Sequence, residues 1–283
     1  MTDLEPILKL TKDLKKAAAT LSDSEVRYLV DAYYTLQNDR IRANNQVRGS
    51  LKEDIADGIV EPEPHEILSW LASNSQTLEN QVKRALAAYV ETHEMGSWLT
   101  SIVGVGPIIS AGLLAHIDIN IADTAGKIWS YAGIAAGRLD APWEKGQKRP
   151  WNARLKVLVW KIGESFVKVS GNEKAFYGHY YIQFKGQYMD KNESGGFAEF
   201  AKRTLESKKF SKDTDAYKCY IAGKLPPAHI HAMATRKTVK LFLSHFQQVW
   251  YEKHHGKPAP KPFVIAHLNH KDYIAPESIP PKV

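Results

Sequence analysis

Apolar residues recur at helical spacing along most of this chain, and the strict alternation that marks a half-buried strand is scarce. The clearest helix start is Leu21-Ser22-Asp23-Ser24-Glu25-Val26. Ser22 can cap the helix, Glu25 can reach back to it three residues later, and Leu21 can pack on Val26. From there Val26, Leu29, Tyr33, Leu36, Ala43 and Val47 form a narrow heptad stripe with Arg40 as a polar interruption. The segment ADGIVEPEP, Ala56 to Pro64, breaks the pattern with a glycine and two prolines. A second stripe then follows through Leu68, Leu71, Leu78, Val82, Ala85 and Tyr89. Two matching stripes with a short breaker between them predict an antiparallel, coiled-coil-like helical hairpin over residues 1–97. Such a hairpin either packs on the rest of the chain or pairs with a second copy.

Further along, the spacing predicts a helix from Thr124 to Ala132, then a basic loop from Gly133 to Pro150. Trp151 to Val169 reads as a helix with Leu155, Leu158, Val159, Ile162 and Phe166 on one face. An aromatic helix, FYGHYYIQFKGQYM, follows. Residues 190–227 carry Gly195-Gly196 and Pro226-Pro227 around a short amphipathic piece and read as an insertion. A long helix returns in HIHAMATRKTVKLFLSHFQQVWYEK. The Pro-rich stretch 256–283 reads as an extended tail. The expected fold is mostly α, with a hairpin over 1–97, a helical domain over 98–255 and the tail; no internal repeat is visible.

Composition narrows the class. At 283 residues, with 43% hydrophobic and 24% charged positions, the chain can bury a core, which excludes wholesale disorder. The single cysteine, Cys219, excludes an intramolecular disulfide framework and a thiolate zinc site. The opening MTDLEPILKLTKDLKK lacks the apolar stretch of a secretory signal. The longest apolar run, Ile102 to Ile117, is too short to cross a bilayer. A cytoplasmic protein without membrane contact is the expectation.

Charge changes the picture more. The chain carries 38 basic and 31 acidic residues, a net charge of +7, unevenly distributed. Met1 to Trp98 holds 11 basic and 16 acidic residues, and the remainder holds 27 and 15. The basic excess therefore falls entirely after Trp98, where it would attract a polyanion, nucleic acid above all.

The most specific local signal lies at its edge. In Leu99 to Ala115, Gly104-Val105-Gly106 is followed by Pro107 at a first-turn position and by an apolar helix, a helix-hairpin-helix pattern. Glycines there allow a tight turn and leave peptide N–H groups open to a phosphate oxygen at a helix N-terminus. Lys127 follows. Then Lys145, Lys148, Arg149, Arg154, Lys156, Lys161 and Lys168 stand against only Glu144 and Glu164, with Trp143, Trp151 and Trp160 interleaved. Trp143 and Trp151, in the basic loop, are candidates for nucleic-acid contact, whereas Trp160 falls near the apolar face and is expected in the core. Arg236, Lys237 and Lys240 read as the solvated side of an amphipathic helix.

From Trp98 onward these features resemble the C-terminal transposase domain of the IS-one-ten type insertion-sequence transposases, which are RNA-guided recombinases. The matching stretches are SIVGVGPIISAGLLAHI, KIWSYAGIAAG, KRPWNARLKVLVWKIGESF, the Phe176-Tyr177 pair and HAMATRKTVKLFLSHFQQVWYE. Their order agrees apart from the insertion after Met189, and the preceding hairpin is similar to the family's coiled coil. Two features depart from it. The family's N-terminal ribonuclease-H-like domain needs strands carrying aspartates, and nothing before Trp98 reads that way. Its catalytic serine lies in the loop matching Gly133 to Pro150, yet Tyr131 to Glu164 contains no Ser, Thr or Cys. Tyr131 is the sole hydroxyl left there. The resemblance thus implies a bacterial mobile-element, plasmid or phage protein that keeps nucleic-acid binding without the chemistry.

Other enzymatic constellations are weak. His229, His231, His245, His254, His255, His267 and His270 cluster late in the chain with few carboxylates, which argues against a metal site. Phosphate-loop and dinucleotide fingerprints are missing. The expectation is a non-catalytic nucleic-acid-binding protein with no cofactor, no metal and no catalytic residue, DNA being favoured over structured RNA. A recombinase or nuclease completed by a partner subunit, and a coiled-coil adaptor or homodimer through the hairpin, are the alternatives.

Overall fold

A computed structural model describes residues 10–56, 65–135, 146–261 and 273–276. These form eleven α-helices and one short 3-10 turn, with no strand among the described residues. The protein is mostly α. It divides into two compact units, 1–100 with 106–117, and 101–105 with 118–283. The helix following the glycine turn rejoins the first unit.

In the first unit, α1 (Lys12–Ala17) and a 3-10 turn (Ala18–Thr20) lead into α2 (Asp23–Ala56), which is followed by α3 (Glu66–Thr92). The start of α2 is a reciprocal cap. The Ser22 N–H donates to Glu25 Oε2 at 2.8 Å and the Glu25 N–H donates to Ser22 Oγ at 3.4 Å. The Ser22 hydroxyl also donates to Glu25 Oε2, at 2.6 Å, and this bond, followed by the one from the Ser22 N–H, holds the Glu25 carboxyl below the usual carboxylate range. Contacts from Tyr89 to Asp23, and from Arg40 and Gln37 to Glu79, run in opposite chain directions, so α2 and α3 lie antiparallel.

The seam between them keeps Val26, Ala43, Ala85 and Tyr89 of the expected stripes but departs from them at Leu71 and Leu78. On α3 the buried positions include Ala72, Ser75, Glu79, Ala85, Leu86 and Tyr89, while Leu71 and Leu78 remain 42% and 38% exposed. The α3 face is thus rotated toward small and polar residues. The reason is Arg40, which donates through Nε to Glu79 Oε2 at 2.7 Å; the polar interruption in α2 selects a buried carboxylate opposite. α5 (Pro107–His116), apolar all round, packs against both α2 and α3, and Arg27 donates to the Ala115 carbonyl near its C-terminus.

The second unit is built on α11 (Pro227–His255), against which α6 (Ala125–Tyr131), α7 (Ala153–Lys168) and α8 (Phe176–Glu193) pack. Asn152 caps α7, accepting from the Leu155 N–H at 3.0 Å, and the predicted stripe Leu155, Leu158, Val159, Ile162 and Phe166 is buried. Phe166 stacks on Tyr177 at 4.9 Å, and both meet Phe242 edge-on. The stretch read as an insertion folds as α9 (Ala198–Ser207) and α10 (Asp215–Ile221) around Phe197, Ala201, Tyr220 and Leu225. The tail was expected to be extended. Its described residues 273–276 lie against α11, where the Tyr273 hydroxyl donates to Gln248 at 2.7 Å and the Ile274 carbonyl meets His245 Nε2 at 2.8 Å.

Candidate nucleic-acid interface

Start with the glycine turn. α4 (Gly96–Ser101) ends just before it and α5 begins at Pro107. Gly104 has φ of +96°, a left-handed conformation that disfavours a side chain, and a Cβ there would stand 3.1 Å from Val169 and 3.2 Å from Phe166. Ser165 Oγ donates to the Gly104 carbonyl at 2.6 Å. The turn is therefore seated on α7. Val105 is buried, and its N–H is spent on the Ile102 carbonyl at 3.0 Å, so that amide is turned inward rather than toward a ligand. Gly106, the N-cap of α5, has nothing within 4 Å of where a Cβ would be.

The basic residues fall into separate groups. Lys127 is exposed but paired with Asp123 at 2.8 Å. Trp143 and Lys145 lie outside the described residues. Lys148 and Arg149 are exposed in the loop before α7. Trp151 is half-buried against Gly133, where a Cβ would come 2.7 Å from the indole, and the Lys156 ammonium sits 4.2 Å from its ring centroid. Trp151 thus packs on the end of α6 more than it reaches outward. On α7, at about 100° per residue, the backbone positions of Arg154, Lys161 and Lys168 fall on one flank and those of Lys156 and Trp160 on the other, and the Lys161 ammonium reaches across to 5.7 Å from the Trp160 ring centroid. Both flanks border the outward face of the helix.

Trp160 overturns its expectation. It is not in the core but 58% exposed. Together with Lys156, Val159 and Glu164 it forms one wall of a groove of about 230 Å³, whose other wall is the α11 residues His231, Thr235 and Arg236. Gly163 makes that crossing close: a Cβ there would stand 2.5 Å from Thr235 Cγ2 and 3.3 Å from Val239. Arg236, expected on a merely solvated face, joins Lys156 at the groove. Lys237 lies over Phe184 at 4.0 Å, and Lys240 stands 5.3 Å from the Trp129 ring centroid. Burial, and then the Arg236 charge, push the Lys240 ammonium below its usual range. Among the described residues no carboxylate pairs with Lys156, Arg236 or Lys240. The contribution of α11 was not legible in the sequence, because Arg236 lies 80 positions from Lys156 and only the fold joins them.

Compared with models of protein families, with curated proteins and with solved structures, the chain matches none of them. The site must be read from its own chemistry.

The histidines do not converge. Among the described residues no three His, Cys, Asp or Glu side chains gather as metal ligands. Three of the histidines pair instead with tyrosines: His229 with Tyr220 at 3.1 Å, His231 with Tyr181 at 2.8 Å and His245 with Tyr177 at 2.9 Å. His267 and His270 lie outside the described residues. The Tyr131 hydroxyl accepts from Asn152 Nδ2 at 2.8 Å, an amide that cannot take a proton from it. No helix among the described residues is long and apolar enough to cross a membrane.

Proposed function

We propose that this chain is a non-catalytic nucleic-acid-binding protein that grips the phosphate backbone through the second unit. One observation carries the reading: Lys156 of α7 and Arg236 of α11, remote in sequence, open onto one groove without a paired carboxylate. Arg154, Lys161 and Lys168 line the other flank of α7, and Lys148 and Arg149 precede it, which extends the cationic surface along the helix. Backbone contact of this kind gives affinity without sequence choice. DNA is favoured over structured RNA, because helix-hairpin-helix sequence patterns usually meet duplex backbone, and the transposase-like motifs suggest a mobile element, plasmid or phage as the setting.

A mobility-shift experiment with the full chain tests this. Retardation of duplex DNA at low salt, weakened across unrelated sequences when Arg154, Lys156 and Arg236 are all changed to Ala, is the expected result. Absence of any shift with DNA or RNA refutes it. Strand cleavage in magnesium or manganese, abolished by Tyr131→Phe, would favour the recombinase alternative instead.

A second reading concerns the hairpin. Ile67, Leu71 and Leu78 follow heptad-like spacing on α3 and remain exposed beside Trp70, which favours self-association there. Sedimentation of the wild type as a dimer, and of Leu71→Glu with Leu78→Glu as a monomer, is expected. A wild type that stays monomeric at high concentration removes this reading.

A further inference from the structure

The groove between α7 and α11 has a composition that a phosphate alone does not explain. Its lining is largely apolar, with Ile134, Val159 and Val239 contributing, and Trp160 leaves more than half of its surface uncovered at the edge. An indole in that position forgoes burial that the neighbouring core positions of α7 obtain. Glu164 also faces the groove, and a carboxylate repels a phosphate that would enter. The cations are Lys156 and Arg236, one from each wall. His231 presents a ring whose Nδ1 is engaged by the Tyr181 hydroxyl, and Nε2 has no partner among the described residues.

We infer that this groove receives a single unpaired nucleobase, stacked on Trp160, with the phosphates that flank it held by Arg236 and Lys156. The inference rests on the nucleic-acid reading above and deepens it: the ligand is an unpaired or extruded nucleotide within a strand. An aromatic surface beside cations is the arrangement that unpaired strands exploit, since every base has a face to stack. The volume takes one base and not a dinucleotide cofactor. Glu164, with no hydrogen-bond partner among the described residues, accepts from the edge of the base. Bases that carry an exocyclic amine, such as cytosine, supply those donors, whereas thymine presents carbonyl oxygens on either side of a single N–H. The pocket therefore prefers an amino-bearing base. A continuous duplex keeps its bases stacked and paired, and contacts only the cationic surface.

The test compares Trp160→Ala, Trp160→Phe and Glu164→Gln with the wild type, by anisotropy titration of labelled oligo-dC, oligo-dT, oligo-rC and a duplex of equal length. Trp160→Ala is expected to weaken oligo-dC and oligo-rC binding roughly five- to 150-fold, the range of one lost base stack, and to leave duplex binding within about twofold. Trp160→Phe should recover most of the loss. Glu164→Gln should narrow the preference for oligo-dC over oligo-dT. Because Trp160 is mostly exposed, its removal leaves no core cavity, and an unchanged thermal midpoint verifies that the variant is folded. Equal loss on duplex and unpaired strands, or no loss on either, overturns the inference while nucleic-acid binding stands. Failure of the wild type to bind any of the four probes overturns both.

Discussion

Gly163 is the residue that allows the α7 and α11 walls to meet. In an isolated helix, replacing glycine by alanine adds about 1 kcal/mol of stability. Here the added methyl would stand 2.5 Å from Thr235, a β-branched side chain with little freedom to retreat. Overpacking of this kind costs about 1–3 kcal/mol, so Gly163→Ala is expected to lower the thermal midpoint despite its better propensity. A midpoint that rises would contradict the close crossing. The glycine itself was visible in the sequence, but its purpose was not, because a close approach is a property of two helices and not of one.

Glu79 and Arg40 form a second test at this scale. Burial acts to raise the Glu79 carboxyl, but hydrogen bonds from Arg40 and Tyr33, the Arg40 charge and a hydrogen bond from Gln37 outweigh it and leave the group below its usual range. A carboxyl lowered by folding stabilises the native state above its unfolded value of about 4.3, and that contribution disappears as pH falls through the folded value. Glu79→Gln should cost about 2 kcal/mol at pH 7, less than a fully buried pair loses, since Arg40 stays partly in water. In urea denaturation, the gap between wild type and variant should shrink as pH is lowered to about 3. A gap independent of pH would show that the pair contributes by packing alone.

At the scale of elements, the helices were legible wherever local signals were strong. The Ser22–Glu25 cap and the α7 stripe both follow from side chains a few positions apart, and the structure places them as that chemistry requires. Ser22→Ala should lower stability by about 1 kcal/mol, as the loss of an N-cap oxygen does elsewhere; calorimetry that shows no change would remove the cap from the account. The α3 stripe was misread for a physical reason. Large apolar residues such as Leu71 and Leu78 suggest the inner face, but the seam opposite Arg40 requires a carboxylate and small neighbours, so Glu79, Ala72 and Ser75 take it. Trp160 shows the converse: an aromatic beside an apolar stripe looks like core, yet it falls on the flank where α7 meets α11 and stays open.

At the scale of the molecule, the charge imbalance between the first 98 residues and the rest was readable from counting, but the grouping of those charges was not. The basic run looks continuous from Lys145 to Lys168, but its members on α7 divide over two flanks, and Lys156 there meets Arg236 from α11 at one groove. Within the glycine turn itself, the Val105 N–H is spent locally on the Ile102 carbonyl, which shifts weight from the turn to the cationic helix faces. A polyanion bound there binds the native state alone, so saturating duplex should raise the thermal midpoint of the protein at low salt. The most direct test is the salt dependence of duplex affinity measured by anisotropy. The account predicts that log affinity falls linearly with log salt, with a slope of several units, and that Arg236→Ala and Lys156→Ala each reduce that slope by about one unit. Affinity that is independent of salt, or a slope unchanged in both variants, would contradict it.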